Sequence, residues 1–285
     1  MIKEFNNESQ AKAIADSLGL FITKYKGVYL VSNSKEELLT KYNLGFYSRE
    51  NIFYDRDILK EDEFGFIVIK DTTLVDASSV ELPYNLINCL GMFNGCSSLV
   101  IPPKIPKSVT GCRRMFSGCT SLKIPPIIPE GVKDCASMFN GCSSLEIPPI
   151  IPVGVQSCHY MFKDCISLKT SPIIPVGVID CAFMFNHCTS LEIPPIIPKG
   201  VEYCDSMFRD CTSLVTPPII PEGVSNCSHM FRGCISLEIP PKIPDGVLNC
   251  RGMFRGCISL ESPPHFPENC KAIDALDGTP FAENE

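Results

Sequence analysis

The sequence predicts an α/β solenoid, a stack of short parallel strands and short helices, preceded by a small α+β amino-terminal domain. Three observations predict it. Cysteines fall in pairs seven residues apart, from Cys89/Cys96 to Cys250/Cys257. Each of the eight pairs follows the last by 23 residues, with no insertion or deletion. The 25 prolines and 17 cysteines of this 285-residue chain are all absent from residues 1–82, so the composition divides near residues 75–88. A fixed period of this length means units that bury their apolar faces only by stacking on neighbours.

The unit Cys135 to Ser157 reads CASMFNGCSSLEIPPIIPVGVQS. From Val132 to Cys142, apolar residues recur at Val132, Cys135, Met138, Phe139 and Cys142, which reads as one face of a short helix of about three turns. Gly141 stands near its end, with Gly95, Gly118, Gly233 and Gly256 in the same column and Asp164, His187 and Asp210 replacing them midway. Glycine, or a polar residue that tolerates the left-handed conformation, suits a helix C′ position. Ser144 to Ile147 reads as a short strand. Pro148-Pro149 ends it, because proline donates nothing to a ladder, and a polyproline-like arm follows.

These residues resemble the BspA-type leucine-rich repeats. The resemblance rests on Met115-Phe116-Ser117-Gly118-Cys119-Thr120-Ser121-Leu122 and on Ile128-Pro129-Glu130-Gly131-Val132, and it covers roughly residues 80–270. It departs from the usual pattern in its extra prolines and in the first cysteine of each pair. The resemblance implies a leucine-rich-repeat-like, right-handed, parallel-stranded solenoid that binds proteins or surfaces. It carries no catalytic residues to transfer.

The expected organisation is an α+β domain over 1–75, the solenoid over 76–280 and an acidic tail over 281–285. The array begins as a partial unit near Leu74–Leu86. At its far end Pro267 keeps phase with Pro244, which puts Ile273 in the Cys250 column and Leu276 in the Met253 column. In the amino-terminal domain, Ser9–Leu18 reads as a helix, Leu20–Tyr25 and Gly27–Ser32 as two strands joined by a turn, and Phe64–Lys70 as another strand. Ser34, with Glu37 three residues on, reads as the capping box of a helix through Tyr42. A unit of this size is near the lower limit for independent folding and is expected to dock on the first repeat.

Composition narrows the function. With 45% hydrophobic and 20% charged residues the chain can fill a core. A formal charge of −7 argues against nucleic acid or anionic membrane as a partner through bulk charge. The start of the chain lacks a secretory-signal pattern, and no stretch approaches the ~18 apolar residues of a membrane span. The expected location is cytoplasmic, with the cell surface open to it through an export route the sequence does not display.

No catalytic residue, cofactor or metal is expected. At C-x6-C spacing on a helix the two sulfurs stand ~10 Å apart, too far to share a metal or a disulfide. The columns therefore read as ladders of buried reduced thiols, with cross-repeat disulfides as the alternative. His159, His187, His229 and His265 occupy different columns. A serine at position 144 of the unit recurs from Ser98 to Ser259; a hydroxyl repeated in every rung reads as a turn former.

Two columns remain as candidate binding positions. One reads Lys104, Ile127, Ile150, Ile173, Ile196, Ile219, Lys242, His265. A position that accepts lysine at its ends is expected to face solvent, which leaves five isoleucines as an exposed apolar stripe of ~20 Å. The alternative is a semi-buried column between prolines whose terminal lysines reach outward. The second reads Asn94, Ser117, Asn140, Lys163, Asn186, Arg209, Arg232, Arg255. Its basic end, Arg209, Arg232 and Arg255, is either a site for an acidic partner or a solvated surface balanced by Glu238 and Glu261. The expected function is a non-enzymatic interaction module for a protein partner of unknown identity, with oligomeric state open. The alternatives are an amino-terminal effector or inhibitor targeted by the solenoid, as in a phage or mobile-element protein, and a structural or surface-display protein.

Overall fold

The computed structural model describes residues 2–18, 21–25, 28–32, 34, 44–47, 52–62 and 66–282. The amino-terminal part opens with β1 (Ile2–Phe5), α1 (Glu8–Leu18), β2 (Phe21–Tyr25) and β3 (Val28–Ser32). The strands form an antiparallel sheet in the order β1-β3-β2. Asn7 caps α1, its Oδ1 accepting from the Gln10 N–H at 3.2 Å. Ala11 and Ala15 then pack against Tyr29 and Val31. The expected helix and strand pair are present; β1 was not read from the sequence. Two hairpins follow, β4 (Leu44–Tyr47) with β5 (Ile52–Asp55) and β6 (Leu59–Glu61) with β7 (Ile67–Ile69). The helix expected between Ser34 and Tyr42 and the tail from residue 283 lie outside the described residues.

The β6–β7 hairpin is the first layer of the solenoid. Ile69 N–H donates to the Met92 carbonyl at 3.0 Å. Leu59, Ile67 and Ile69 share one continuous core with the repeats as far as Leu260. Conversely Tyr84 packs against the amino-terminal core, its ring edge-on to Tyr29 at 5.7 Å. The two parts thus exchange core residues across residue 75.

In the repeats the inside–outside pattern is as the sequence predicts, but the backbone is not. Val132, Cys135, Met138, Phe139, Cys142 and Leu145 are fully buried. The segment Cys135–Cys142 is a chain of turns rather than a helix. The N–H groups of Cys135, Ser137, Phe139 and Gly141 donate to the next rung, to the carbonyls of Ser157, His159, Met161 and Lys163 at 2.7–3.2 Å. Those of Met138, Asn140 and Cys142 donate three residues back within the rung. Left-handed residues at Ser137 (φ 56°) and Gly141 (φ 76°) interrupt any helical ladder. A chain of such turns returns to the core about every third residue, which is why it carries a helix-like apolar spacing.

The expected stretch Ser144–Ile147 carries part of the parallel ladder, with Glu146 N–H donating to the Lys123 carbonyl at 3.3 Å and a bridge Thr170↔Ile193 in the Ile147 column, but the main ladder lies elsewhere. Rather than at Ser144–Ile147, the unbroken series of bridges runs through the residue before each first cysteine, from Asn88↔Gly111 through Asp134↔Ser157 to Asn249↔Lys271. Asp134 Oδ1 accepts from the Ala136 N–H at 2.8 Å, and Asn88, Asp180, Asn226 and Asn249 do the same two residues on at 2.9–3.1 Å. These side chains satisfy the N–H that neither ladder nor turn uses.

The core is built as columns. Phe93, Phe116, Phe139, Phe162, Phe185, Phe208, Phe231 and Phe254 stack with ring centroids 5.5–5.9 Å apart and planes within 17°. Phe266 ends the stack at a 58° tilt. The second cysteine of each pair has a specific role. Cys142 Sγ–H donates to the Phe116 carbonyl of the preceding rung at 3.1 Å, and the pattern recurs from Cys119 to Cys257 at 3.0–3.2 Å. That carbonyl already accepts the Cys119 N–H, so the thiol fills its second lone pair.

The last unit departs from the expected phase by one residue. Cys250 N–H donates to Lys271, Gly252 to Ile273 and Phe254 to Ala275. The left-handed residues Asp274 and Gly278 therefore match Gly252 and Gly256 at a spacing of 22. Ala272, not Ile273, continues the Cys250 column, and Leu276 follows Phe254.

Candidate functional site

The exposed face of the proline-rich arm is set by its alternation. Pro149, Ile151 and Pro152 point inward, and Ile147, Ile150 and Val153 outward. Ile127, Ile150, Ile173, Ile196 and Ile219 are 87–90% exposed, while the next residues, Ile128, Ile151, Ile174, Ile197 and Ile220, are 4–5% exposed. The solvent-facing alternative for this column is the one the structure adopts. Lys104, Lys242 and His265 are likewise exposed. The apolar surface is wider than the stripe, for Ile124, Ile147, Ile193 and Ile239 flank it on one side and Val153 and Val176 on the other, all more than half exposed. Prolines make this arm stiff, so little conformational freedom remains to be lost when it is covered.

Two arginines of the basic column are locally neutralised. Arg209 Nε lies 3.3 Å from Asp210, and Arg255 Nη1 3.7 Å from Asp277. Nearby Arg251 pairs with Asp274 at 3.8 Å. The balancing acids are thus aspartates of the turn columns rather than Glu238 and Glu261, which belong to the arm. These exposed pairs contribute little energy.

A further constellation was not read from the sequence. In the middle rungs Asp164, His187 and Asp210 hold the left-handed position that glycine fills in the outer rungs, with φ of 59–62°. His187 Nδ1 lies 2.8 Å from Asp164 Oδ1, and Lys163 Nζ donates to Asp164 Oδ2. Burial raises the Asp164 carboxyl, but the bonds from Lys163 and His187 outweigh it and leave the group below its ordinary value. Beside them Tyr160 and Phe183 stack at 4.5 Å, both left-handed, at φ 55° and 57°. His159 meets Tyr160 edge-on at 4.3 Å and lies 3.3 Å from Asp180. Tyr160, Lys163, Asp164, Phe183, His187 and Asp210 line a shallow groove on the turn side. The available signal was the departure from glycine in three consecutive copies.

The sixteen paired cysteines are all buried, and Cys270 is half-buried. Burial pushes the thiols up, to about 11 for Cys96, to about 12 for Cys112, Cys142, Cys158 and Cys257, and well above the ordinary value for Cys135, Cys165, Cys181, Cys211 and Cys234. The first cysteine of each pair adjoins a bridge, so neighbours in that column stand one ladder step apart, about 5 Å. Burial and protonation, rather than distance, are what protect them from disulfide exchange.

No protein-family model and no curated protein matches the chain. Among solved structures, a leucine-rich repeat protein from Bacteroides ovatus is 19% identical, with 79% of this chain and 92% of that chain covered at a TM-score of 0.41. The T. pallidum leucine-rich repeat protein TpLRR is 24% identical, with 73% and 95% covered at a TM-score of 0.42. At those scores the likeness carries no argument, and the solenoid rests on the chain's own ladder. Among the described residues no helix is long and apolar enough to cross a membrane.

Proposed function

We propose that the chain is a non-enzymatic protein-binding module of BspA-like leucine-rich-repeat type, whose contact surface is the proline-rich arm of the central rungs. One observation carries this: five isoleucines at 87–90% exposure stand beside five at 4–5%. Covering an isoleucine is worth ~1.5–3 kcal/mol. A soluble monomer gains nothing by displaying a whole column of them, and contiguous exposed apolar surface marks interaction sites. Charged residues end the column at Lys104, Lys242 and His265, as the rim of a footprint requires. The effector alternative for the amino-terminal part finds less support, because Leu59, Ile67 and Ile69 belong to the solenoid's core.

The test is the triple substitution Ile150→Ser, Ile173→Ser and Ile196→Ser in the full chain. The expected result is an unchanged denaturant midpoint with loss of the proteins the wild type retains on an affinity column. A triple variant that unfolds, or that keeps every partner, refutes the reading.

A further inference from the structure

The charges that flank the isoleucine stripe are arranged antisymmetrically about one point, between the rung of Ile150 and the rung of Ile173. On one side of the stripe the exposed residues run Val100, Lys123, Glu146, Lys169, Glu192, Val215. On the other they run Lys107, Glu130, Val153, Val176, Lys199, Glu222. Reversing either series matches lysine with glutamate and valine with valine at every step.

We propose that the occupant of this face is a second copy of the chain, packed antiparallel about a two-fold axis that lies along the arms between those two rungs. The proposal rests on the reading of the arm as a contact face and adds its partner. Such an axis places each column against itself with the rung order reversed, as an isologous interface demands. Ile150 then meets Ile173 of the second copy, Ile127 meets Ile196, and Val153 meets Val176. Glu130 meets Lys199, Lys107 meets Glu222, Lys123 meets Glu192, and Glu146 meets Lys169, each pair occurring twice. Within the stripe the one unlike contact is Lys104 over Ile219, where the lysine stem can lie on the isoleucine with its ammonium at the rim; in the flanking column Ile124 meets Ile193, while Ile147 meets Thr170 and Ile101 meets Thr216.

Neighbours along one chain account for part of this pattern but not all of it. Lys123 and Glu146 sit on adjacent rungs and pair within the chain at 3.4 Å. Glu130 and Lys199 are three rungs apart, ~14 Å, and Lys107 and Glu222 five rungs, ~24 Å. Contact within one chain cannot couple them; a second copy can. An arm of ~22 Å spanned over the five ~4.8 Å steps between six rungs gives a footprint of about 500 Å² per copy. The total of about 1,000 Å² is the lower bound for a specific interface, consistent with a micromolar dimer.

Sedimentation equilibrium of the full chain tests this by charge reversal. The wild type is expected to dimerise at tens of micromolar. Lys199→Glu sets like charges opposite each other twice and is expected to weaken the dimer about tenfold or more. Adding Glu130→Lys in the same chain is expected to restore it, and Lys123→Glu with Glu192→Lys gives an independent pair. Circular dichroism confirms the fold of each variant, all four sites being exposed. A wild type that stays monomeric at about 100 µM, a dimer indifferent to Lys199→Glu, or a loss that Glu130→Lys fails to rescue overturns the pairing. If the pairing fails but the triple serine variant still loses its protein partners, the contact face stands and only its occupant is wrong.

Discussion

Raising the pH attacks this fold through its thiols. The sixteen paired cysteines are buried, and burial holds those with resolved shifts above the ordinary value of 9.0, to about 11 at Cys96 and about 12 at Cys112 and Cys142. In the unfolded chain the same groups ionise near 9. Below that pH both states are protonated and stability is whole. Above it only the unfolded state loses protons, so stability falls as pH rises, across the window from about 9 toward 12. One pH unit above the free-thiol value, each buried cysteine with a raised value withdraws ~1.4 kcal/mol, and the fifteen from Cys96 to Cys257 together withdraw about 20 kcal/mol. A domain's whole stability is only ~5–15 kcal/mol. Tyr29 and Tyr84, both pushed up to about 12 with burial the largest cause, act in the same direction. The protein is therefore expected to unfold in one steep step between about pH 9 and 10, read by far-ultraviolet dichroism and by thiolate absorbance in the same titration. The two signals should coincide. Thiolate absorbance that grows gradually from about pH 8 while the dichroism stays native would refute the buried ladders.

Other substitutions probe separate parts of the account. Phe162→Ala, which opens the stack between Phe139 and Phe185, should lower stability by ~3–5 kcal/mol in denaturant. An unchanged midpoint would mean that the phenylalanine column faces solvent. Ser137→Gly should raise stability by up to ~1 kcal/mol, because Ser137 holds φ 56° with its side chain buried and Gly91 already occupies that column; a lower midpoint would contradict the turn geometry. A thiol-reactive disulfide reagent at neutral pH should label at most Cys270 at an appreciable rate until denaturant is added, and immediate labelling of many sites would place the cysteine columns outside the core.

The sequence carried the pattern of burial better than the path of the backbone. Ile150 and Ile151 are the same residue type side by side, and only the lysines of the end copies, Lys104 and Lys242, distinguished the outward position from the inward one. The helix expected over Val132–Cys142 failed because β-turns and helices return to the core at similar intervals. The residue that decides between them, Ser137 in the left-handed region, is not a glycine in most copies. The main ladder was missed for a related reason. Its marker is the Asn or Asp at positions 88, 134, 180, 226 and 249, and alternation with Gly111, Ser157 and Tyr203 hid it. The slip in the last unit was invisible because Pro267 and Cys270 keep the period, and the chain shortens only at Lys271. The Asp164–His187–Asp210 group lay in columns already assigned to turn geometry, so its departure from glycine was read as tolerance rather than as a site.

The most direct measurement compares Ile150→Ser with Ile151→Ser, two neighbours at 90% and 5% exposure. Both stability in denaturant and self-association by sedimentation are read on each protein. The account predicts that Ile151→Ser lowers stability by several kcal/mol, in the range of ~2–5 kcal/mol for emptying a core site. Ile150→Ser should leave stability within ~0.5 kcal/mol and weaken association. Equal losses of stability at the two positions, or an Ile150→Ser protein that associates as the wild type does, would contradict it.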